Sequence, residues 1–314
     1  MKNYFKFNLT GKQIFPIWII FTVLFIIPYI IVQVKMQTLN AHGSEHMEAL
    51  AKLGKIAQLY GIMIILLIVE YAILFFIGKL AIEAIEFKEK SLKFIGTYSK
   101  FLLILIPGFL FTIITLGIYG PWYTTNLFRF FAKNSSHDDN KFEFTGKGSD
   151  LFLITLFSVV LPFTFFLFVA IIVVFTLGLI GLKGAAVNPS SNTSIQLFAF
   201  IFVLGVMFLL IPYFYYSTKW KISFKIKGYI IQWETNFWDS AKKMALEISL
   251  STITLGIYAP LAMLKLFKYF GERTIATSAT SRKKFGYDIE PKDDFLFIWG
   301  QSLLSIITFG IYCP

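Results

Sequence analysis

The chain has 314 residues, of which 56% are hydrophobic and 15% are charged, and its mean hydropathy is +0.69. This composition excludes an ordinary soluble globular protein, which needs a polar surface, and predicts an integral membrane protein. The net charge of +11 comes from lysines and arginines that lie between apolar stretches, so it favours contact with anionic lipid headgroups over nucleic-acid binding.

Seven apolar stretches follow one another along the chain. The first, residues 14–34, would be about 31 Å long as a helix, which fits an uncleaved membrane span better than a signal peptide. The others are residues 57–80, 101–131, 151–182, 195–216, 244–267 and 295–314. We therefore expect an all-α, multi-pass membrane bundle with a cytoplasmic N-terminus.

The stretches 101–131 and 244–267 have basic residues on both sides, such as Lys100 and Lys133 around the first. Because basic residues near membrane spans stay in the cytoplasm, both ends of each stretch are predicted to lie on one side. Each stretch also contains helix-breaking residues, namely Pro107, Gly108, Pro121 and Pro260. We interpret both as re-entrant hairpins buried within the bundle, because broken backbone must be shielded from lipid. The alternative is a kinked helix that crosses once.

A tandem repeat underlies the two stretches. Residues 114–121 match residues 253–260 at a constant offset of 139, and residues 307–314 form a third copy that the chain end interrupts. We predict membrane repeat 1 at 1–139, membrane repeat 2 at 140–279 and a partial third copy at 280–314, as in a truncated chain. Each full repeat has a strand, two transmembrane helices, a second strand and a broken hairpin.

Short segments with alternating aromatic or apolar residues recur between the spans. They occur at residues 5–11, 92–96, 142–146 and 224–228, each ending in glycine, and more weakly at 284–288. A period of two residues predicts short β-strands. We expect them to pair into a small sheet on the cytoplasmic side.

The pattern from Thr115 to Trp122, followed by Leu127, Arg129 and the segment 142–146, resembles the YjgN-like family of bacterial inner-membrane proteins, a domain of unknown function. In the second copy, Leu261 replaces Trp122. The resemblance implies a multi-pass protein of the bacterial cytoplasmic membrane, and it implies no established activity.

Several polar residues lie within apolar surroundings. Glu70 is central in the second stretch, where it is either a proton or cation site or a hydrogen-bonded packing residue. Glu247 is a weaker candidate, because a salt bridge with Lys243 explains it equally well. Arg129 and Lys268 follow the two broken stretches and are predicted to contact lipid phosphate.

The repeated corner offers hydroxyl groups beside broken backbone, at Thr115, Gly117, Tyr119, Thr254, Gly256 and Tyr258. Such groups coordinate solutes in transporters with discontinuous helices. Alternatively, glycine and proline shape a turn while the hydroxyls satisfy the freed backbone groups.

No catalytic motif is recognisable, so we expect neither an enzyme nor a cofactor. His42 and His46, four residues apart, lack a defined third metal ligand, and the lone Cys313 excludes a multi-cysteine metal site. The sequence favours a small-solute or ion transporter or channel. The alternative is a membrane scaffold or envelope-maintenance protein that binds lipids or protein partners through its basic face.

Overall fold

The computed structural model describes residues 5–42, 49–179, 205–287, 290 and 294–308. The chain divides into two compact units. The first contains Tyr4–Phe144 with Trp299–Pro314, and the second contains Thr145–Ile298 with Met1–Asn3. Each unit consists of apolar helices whose ends are connected by short antiparallel strands.

The first unit opens with a long helical hairpin. Strand β1 (Phe5–Phe7) leads into helix α1 (Gly11–Phe21), a π-helical turn (Thr22–Ile26) and helix α2 (Ile27–His42). Helix α3 (Ala49–Glu83) returns and ends at strand β2 (Ile85–Phe87). Strand β2 pairs antiparallel with β1, and β3 (Lys90–Ser91) extends this sheet. The start of α1 and the end of α3 therefore lie side by side.

A shorter helical hairpin follows in the same unit. Helix α4 (Tyr98–Ile114) and helix α5 (Gly120–Lys133) pack against each other and are joined by residues 115–119. Strand β4 (Lys93–Phe94) precedes α4 and pairs antiparallel with β5 (Ser135–His137), which follows α5. Strand β6 (Asn140–Lys141) completes this sheet, and β7 (Glu143–Phe144) ends the unit.

The second unit begins with helix α6 (Gly148–Thr155), a π-helical turn (Leu156–Val160) and helix α7 (Leu161–Leu179). Helix α8 (Ile211–Lys221) returns to this start, because the backbone N–H of Thr145 donates to the carbonyl of Ser223 over 2.9 Å. The indole N–H of Trp220 also donates to the carbonyl of Lys147. These two hydrogen bonds therefore hold the start of α6 next to the end of α8.

A second short helical hairpin follows, formed by helix α9 (Phe237–Ile253) and helix α10 (Ala259–Gly271). Strand β9 (Tyr229–Trp233) precedes α9 and pairs antiparallel with β10 (Thr274–Thr277), which follows α10. Strands β8 (Phe224–Ile226) and β11 (Arg282–Lys284) flank this pair, which gives the order β11-β10-β9-β8. Helix α11 (Phe295–Ile307) is the last described element.

Two-residue turns with positive φ connect three of the strand pairs. They are Lys88-Glu89, Asp138-Asp139 and Lys227-Gly228, with φ between 50° and 77°. Left-handed backbone at both central residues matches the twist of antiparallel strands, so such turns form tight hairpins. These turns explain how strands of only two to five residues find their partners.

The two short hairpins differ in their cores. Helices α4 and α5 enclose an aromatic cluster whose buried members are Phe75, Phe94, Phe101, Leu105 and Phe130. The cluster beside α9 and α10 contains Ile211, Tyr215, Trp233 and Met244, but α9 also buries the polar side chains of Ser240 and Glu247. The second hairpin is therefore the more polar of the two.

The prediction of an all-α fold is wrong. The described residues contain three antiparallel sheets in addition to the helices, where we had expected a single small sheet. The predicted strand at 92–96 is present as β4, but its partner β5 lies beyond a complete helical hairpin, and local sequence does not reveal such a partner.

Among the described residues, fewer helical segments than the seven apolar stretches are able to cross a membrane. Three described helical segments are long and apolar enough to cross a bilayer, namely Gly11–Leu39, Leu53–Glu83 and Gly148–Val169. The stretches 101–131 and 244–267 are each divided between two shorter helices. Residues 195–204 of the fifth stretch lie outside the described residues.

Candidate functional site

The two short hairpins reverse direction through corners with the same hydrogen bonds. In the first corner, the hydroxyl of Thr115 donates to the carbonyl of Phe111 over 2.7 Å and accepts the N–H of Tyr119 over 3.0 Å. In the second, the hydroxyl of Thr254 donates to Leu250 over 2.8 Å and accepts from Tyr258 over 3.0 Å. Each threonine hydroxyl therefore satisfies the free N–H at the start of the next helix, and it adds a second hydrogen bond to a carbonyl that already accepts the backbone N–H of the threonine.

Positive backbone angles complete both corners. Leu116 and Gly117 have φ of 50° and 92°, and Leu255 and Gly256 have φ of 50° and 87°. The N–H of each glycine donates over 2.7 Å to a carbonyl five residues earlier, which closes the preceding helix. Pro121 and Pro260 then lie in the first turn of the next helix, where a missing N–H costs nothing.

Pro107 and Gly108 do not break a helix, contrary to the prediction. Both lie within the continuous helix α4. Gly108 instead permits close packing, because a β-carbon at this position would lie 2.2 Å from Cδ2 of the Tyr123 ring. The glycine therefore serves helix contact rather than chain reversal.

The corner tips are exposed and apolar. Leu116 is 94% exposed and Leu255 is 91% exposed, and the adjoining Ile118 and Ile257 are exposed as well. The expectation that the corners are buried within the bundle is therefore wrong for this chain. Shielding is unnecessary because the corner N–H groups already have partners: backbone carbonyls accept most of them, and the threonine hydroxyl accepts that of Tyr119 or Tyr258.

The other predicted residues belong to two different compact units. Glu70 is half-buried on α3, without a hydrogen bond or ion pair among the described residues. The first corner belongs to the first compact unit and the second corner to the second. A shared solute site made of Glu70 and both corners remains a prediction.

The two basic residues that follow the corners have different surroundings. Arg129 is exposed on α5. Lys268 on α10 forms an ion pair over 2.8 Å with Glu290, and this bond holds the pKa of the glutamate below its ordinary value. Contact of either residue with lipid phosphate stays a prediction. Of the two candidate metal-binding histidines, His46 and the side chain of His42 lie outside what the structure describes.

The most unusual polar group in the described chain is Glu247, which sequence reasoning ranked low. Its side chain is 1% exposed, and its Oε1 accepts a 2.6 Å hydrogen bond from the ammonium of Lys243 one turn earlier. Its Oε2 is buried without a hydrogen-bond partner among the described residues. An unpaired buried carboxylate oxygen is costly, by about 1–3 kcal/mol or more. The i to i+4 spacing indicated the ion pair, but only the packing of the helices reveals the burial.

Three pairs of polar side chains lie along α9 and α10, and Lys243 with Glu247 is one of them. On α9 the residues Ser240, Lys243 and Glu247 share one helix face, and the Ser240 hydroxyl lies 3.5 Å from the hydroxyl of Tyr269 on α10. Further along α10, the ammonium of Lys265 donates to the hydroxyl of Tyr258 over 2.6 Å and lies 5.0 Å from the centre of its ring. We call these residues, 240, 243, 247, 258, 265 and 269, the polar seam.

The first hairpin has different residues at five of the six positions equivalent to the polar seam, and only Tyr258 is retained, as Tyr119. At the offset of 139, Ser240, Lys243 and Glu247 correspond to Phe101, Ile104 and Gly108, and Lys265 and Tyr269 correspond to Asn126 and Phe130. Phe101 and Phe130 belong to the aromatic cluster of the first unit. The corners are therefore alike, whereas the charged interior is particular to the second hairpin.

Comparison with known families gives a match over residues 87–293, which include both short hairpins and α6 to α8. The matching model describes a bacterial protein of unknown function, DUF898, and this family is the one that contains the YjgN-like proteins. No curated protein and no solved structure matches the chain. The matched region covers most of the chain and includes both corner motifs on which the predicted resemblance rests. The chain therefore belongs to the bacterial family of unknown function DUF898.

Proposed function

We propose that this chain is a non-enzymatic, lipid-binding scaffold of the bacterial cytoplasmic membrane. Its long helices cross the bilayer, its two short hairpins insert into one leaflet, and its sheets lie at the cytoplasmic surface with the N-terminus. The observation that carries the proposal is the pair of exposed apolar corners, at which Leu116 and Leu255 are 94% and 91% exposed. Transfer of a large exposed apolar side chain from water into lipid is favourable, and these corners already satisfy their own backbone hydrogen bonds.

The geometry of the hairpin ends supports insertion without crossing. Because β4 pairs with β5, the start of α4 and the end of α5 must face the same side of the membrane. The pairing of β9 with β10 imposes the same constraint on α9 and α10. Basic residues such as Lys93, Lys133 and Lys242 lie near these ends, which favours the cytoplasmic side.

The sheets add a positively charged surface to this arrangement. Lys6, Lys93, Lys225 and Lys283 lie on strands that connect helix ends. A lysine near an anionic membrane surface contributes about 1 kcal/mol of attraction. The strands therefore fix the hairpin ends and also offer cations to lipid headgroups.

Cysteine labelling tests this topology. In a background with Cys313 replaced by Ser, single cysteines at Ser99, Asn134 and Leu116 would be treated with an impermeant maleimide in vesicles of either orientation. We expect Ser99→Cys and Asn134→Cys to react only from the cytoplasmic side. A dye on Leu116→Cys should be quenched by lipids that carry a quencher in their acyl chains. Labelling of the first two positions from opposite sides would refute the inserted hairpin.

Transport of a small solute or ion is the second candidate function, favoured by the buried and partly unpaired carboxylate of Glu247. The corner threonines disfavour a solute site at the corners, since each hydroxyl already donates one hydrogen bond and accepts another. Proteoliposomes loaded with pH-sensitive or potassium-sensitive dyes would decide between the two. Flux through the wild-type protein that Glu247→Gln abolishes would favour transport. Absence of any flux through folded wild-type protein would favour the scaffold.

A further inference from the structure

We propose that the polar seam of the second hairpin binds a phosphoglycerol group, supplied by the headgroup of an anionic phospholipid such as phosphatidylglycerol. This inference rests on the proposed function, because it requires the second hairpin to lie in lipid. It goes further by assigning a ligand class and a site to one hairpin and not to the other.

The first step is the presence of two complementary charged groups, a carboxylate with one unpaired oxygen and an ammonium without an anionic partner. Glu247 Oε2 is buried without a donor among the described residues. The ammonium of Lys265 is half-buried against Tyr258, and no carboxylate in the described chain pairs with it. A carboxylate oxygen only accepts hydrogen bonds, and an ammonium only donates them. The missing ligand must therefore provide both a donor and an anionic acceptor.

The second step is the position of these groups along the hairpin. Glu247 and Lys265 each lie nine residues from Gly256 at the corner, so they are at the same height on two antiparallel helices. The approach of Ser240 to Tyr269 shows that the seam faces of α9 and α10 meet. Tyr258, which caps the start of α10, and Lys265 and Tyr269 within it recur at spacings of seven and four residues, which places them on one face.

The third step is charge. The seam has two lysines and one glutamate, hence one excess positive charge. Helix α8 packs against α9. Its Tyr215 hydroxyl donates to the carbonyl of Thr235. The charged residues of α8, Lys219 and Lys221, lie in its last turn. No described acidic residue lies on α8 or α10, so one negative charge on the ligand balances the seam.

The fourth step is depth. The six residues from Glu247 to the end of α9 rise about 9 Å, and one leaflet of hydrocarbon is about 15 Å thick. With the corner near the middle of the bilayer, Lys243 and Glu247 lie just below the phosphate groups. The Lys243 side chain, which is 30% exposed, is the accessible edge of the seam. A phosphodiester then meets the ammonium groups, and a glycerol hydroxyl must enter between α9 and α10 to donate to the buried Oε2 of Glu247.

Binding of lipid to the purified full-length chain in a neutral detergent tests this site. Native mass spectrometry would measure the affinity for phosphatidylglycerol, phosphatidic acid and phosphatidylcholine. We expect Lys265→Asn, which introduces the residue of the first hairpin, to weaken phosphatidylglycerol binding by about tenfold, as for one charge-assisted hydrogen bond. Lys265→Arg should retain binding. Glu247→Gln should reduce the preference for phosphatidylglycerol over phosphatidic acid, which lacks the glycerol hydroxyls.

The matched control is Asn126→Ala at the equivalent position of the first hairpin, which should bind lipid as the wild type does. Size-exclusion profiles would establish that each variant is folded. Competition by soluble glycerol phosphate would assign the same site to a free solute, whereas lack of competition would assign it to the lipid. Equal lipid binding by the wild type and both seam variants, or an equal loss in Asn126→Ala, would overturn the proposal. Because cysteine labelling reports insertion separately, that result would leave the proposed topology standing.

Discussion

Replacing Gly108 by alanine should destabilise the first hairpin, although alanine is normally the better helix residue. The new β-carbon would lie 2.2 Å and 2.8 Å from two carbons of the Tyr123 ring, which is 5% exposed and cannot move freely. Overpacking of this kind costs about 1–3 kcal/mol, whereas the gain in helix propensity is about 0.5–1 kcal/mol. We therefore expect a net loss of about 1–2 kcal/mol.

The matched control is Gly61→Ala on α3, where a β-carbon meets nothing within 4 Å. The control should be unchanged or more stable by up to about 1 kcal/mol. Unfolding of both variants would be followed by tryptophan fluorescence in detergent, and the midpoints should differ by several degrees. A double variant, Gly108→Ala with Tyr123→Ala, should recover part of the clash energy, because the ring that the new β-carbon meets is then absent. The second hairpin has alanine, Ala262, at the position equivalent to Tyr123. Equal midpoints for Gly108→Ala and Gly61→Ala would refute the close contact.

Three further predictions concern the first corner and the ion pair at the far end of α10. Thr115→Val should destabilise the chain by about 1–2 kcal/mol, because the N–H of Tyr119 loses its partner and the carbonyl of Phe111 keeps only the backbone N–H of residue 115, whereas Thr115→Ser should retain most of the stability in the same unfolding assay. Gly117→Ala should cost about 1 kcal/mol, since a φ of 92° is unfavourable for any side chain; an unchanged midpoint would contradict the observed corner. Because Lys268 lowers the pKa of Glu290, their bond contributes stability above the ordinary glutamate pKa and loses it as the pH falls through the lowered one. Lys268→Met should therefore raise the pKa of Glu290, as measured by NMR, and an unchanged value would exclude the pair in solution.

The sequence by itself determined the local features of this protein. The repeated pattern of threonine, glycine, tyrosine and proline indicated two chain reversals, and its physical basis is local: each threonine bonds within four residues, and each glycine adopts a positive φ. Charge patterning likewise indicated that both ends of each hairpin lie on one side. The apolar composition indicated a membrane protein, because the free energy of moving a side chain from water into lipid is set largely by its residue type.

Only the tertiary structure decided how distant segments meet. Strand β1 pairs with β2, although Phe5 and Phe87 are 82 residues apart, and no local propensity specifies such a partner. Burial was decided in the same way. Gly108 appeared to be a helix breaker but is a contact for Tyr123, and Glu247 appeared to be an interfacial salt bridge but is 1% exposed. The environment of a side chain depends on the facing helix, which sequence spacing along its own helix cannot supply.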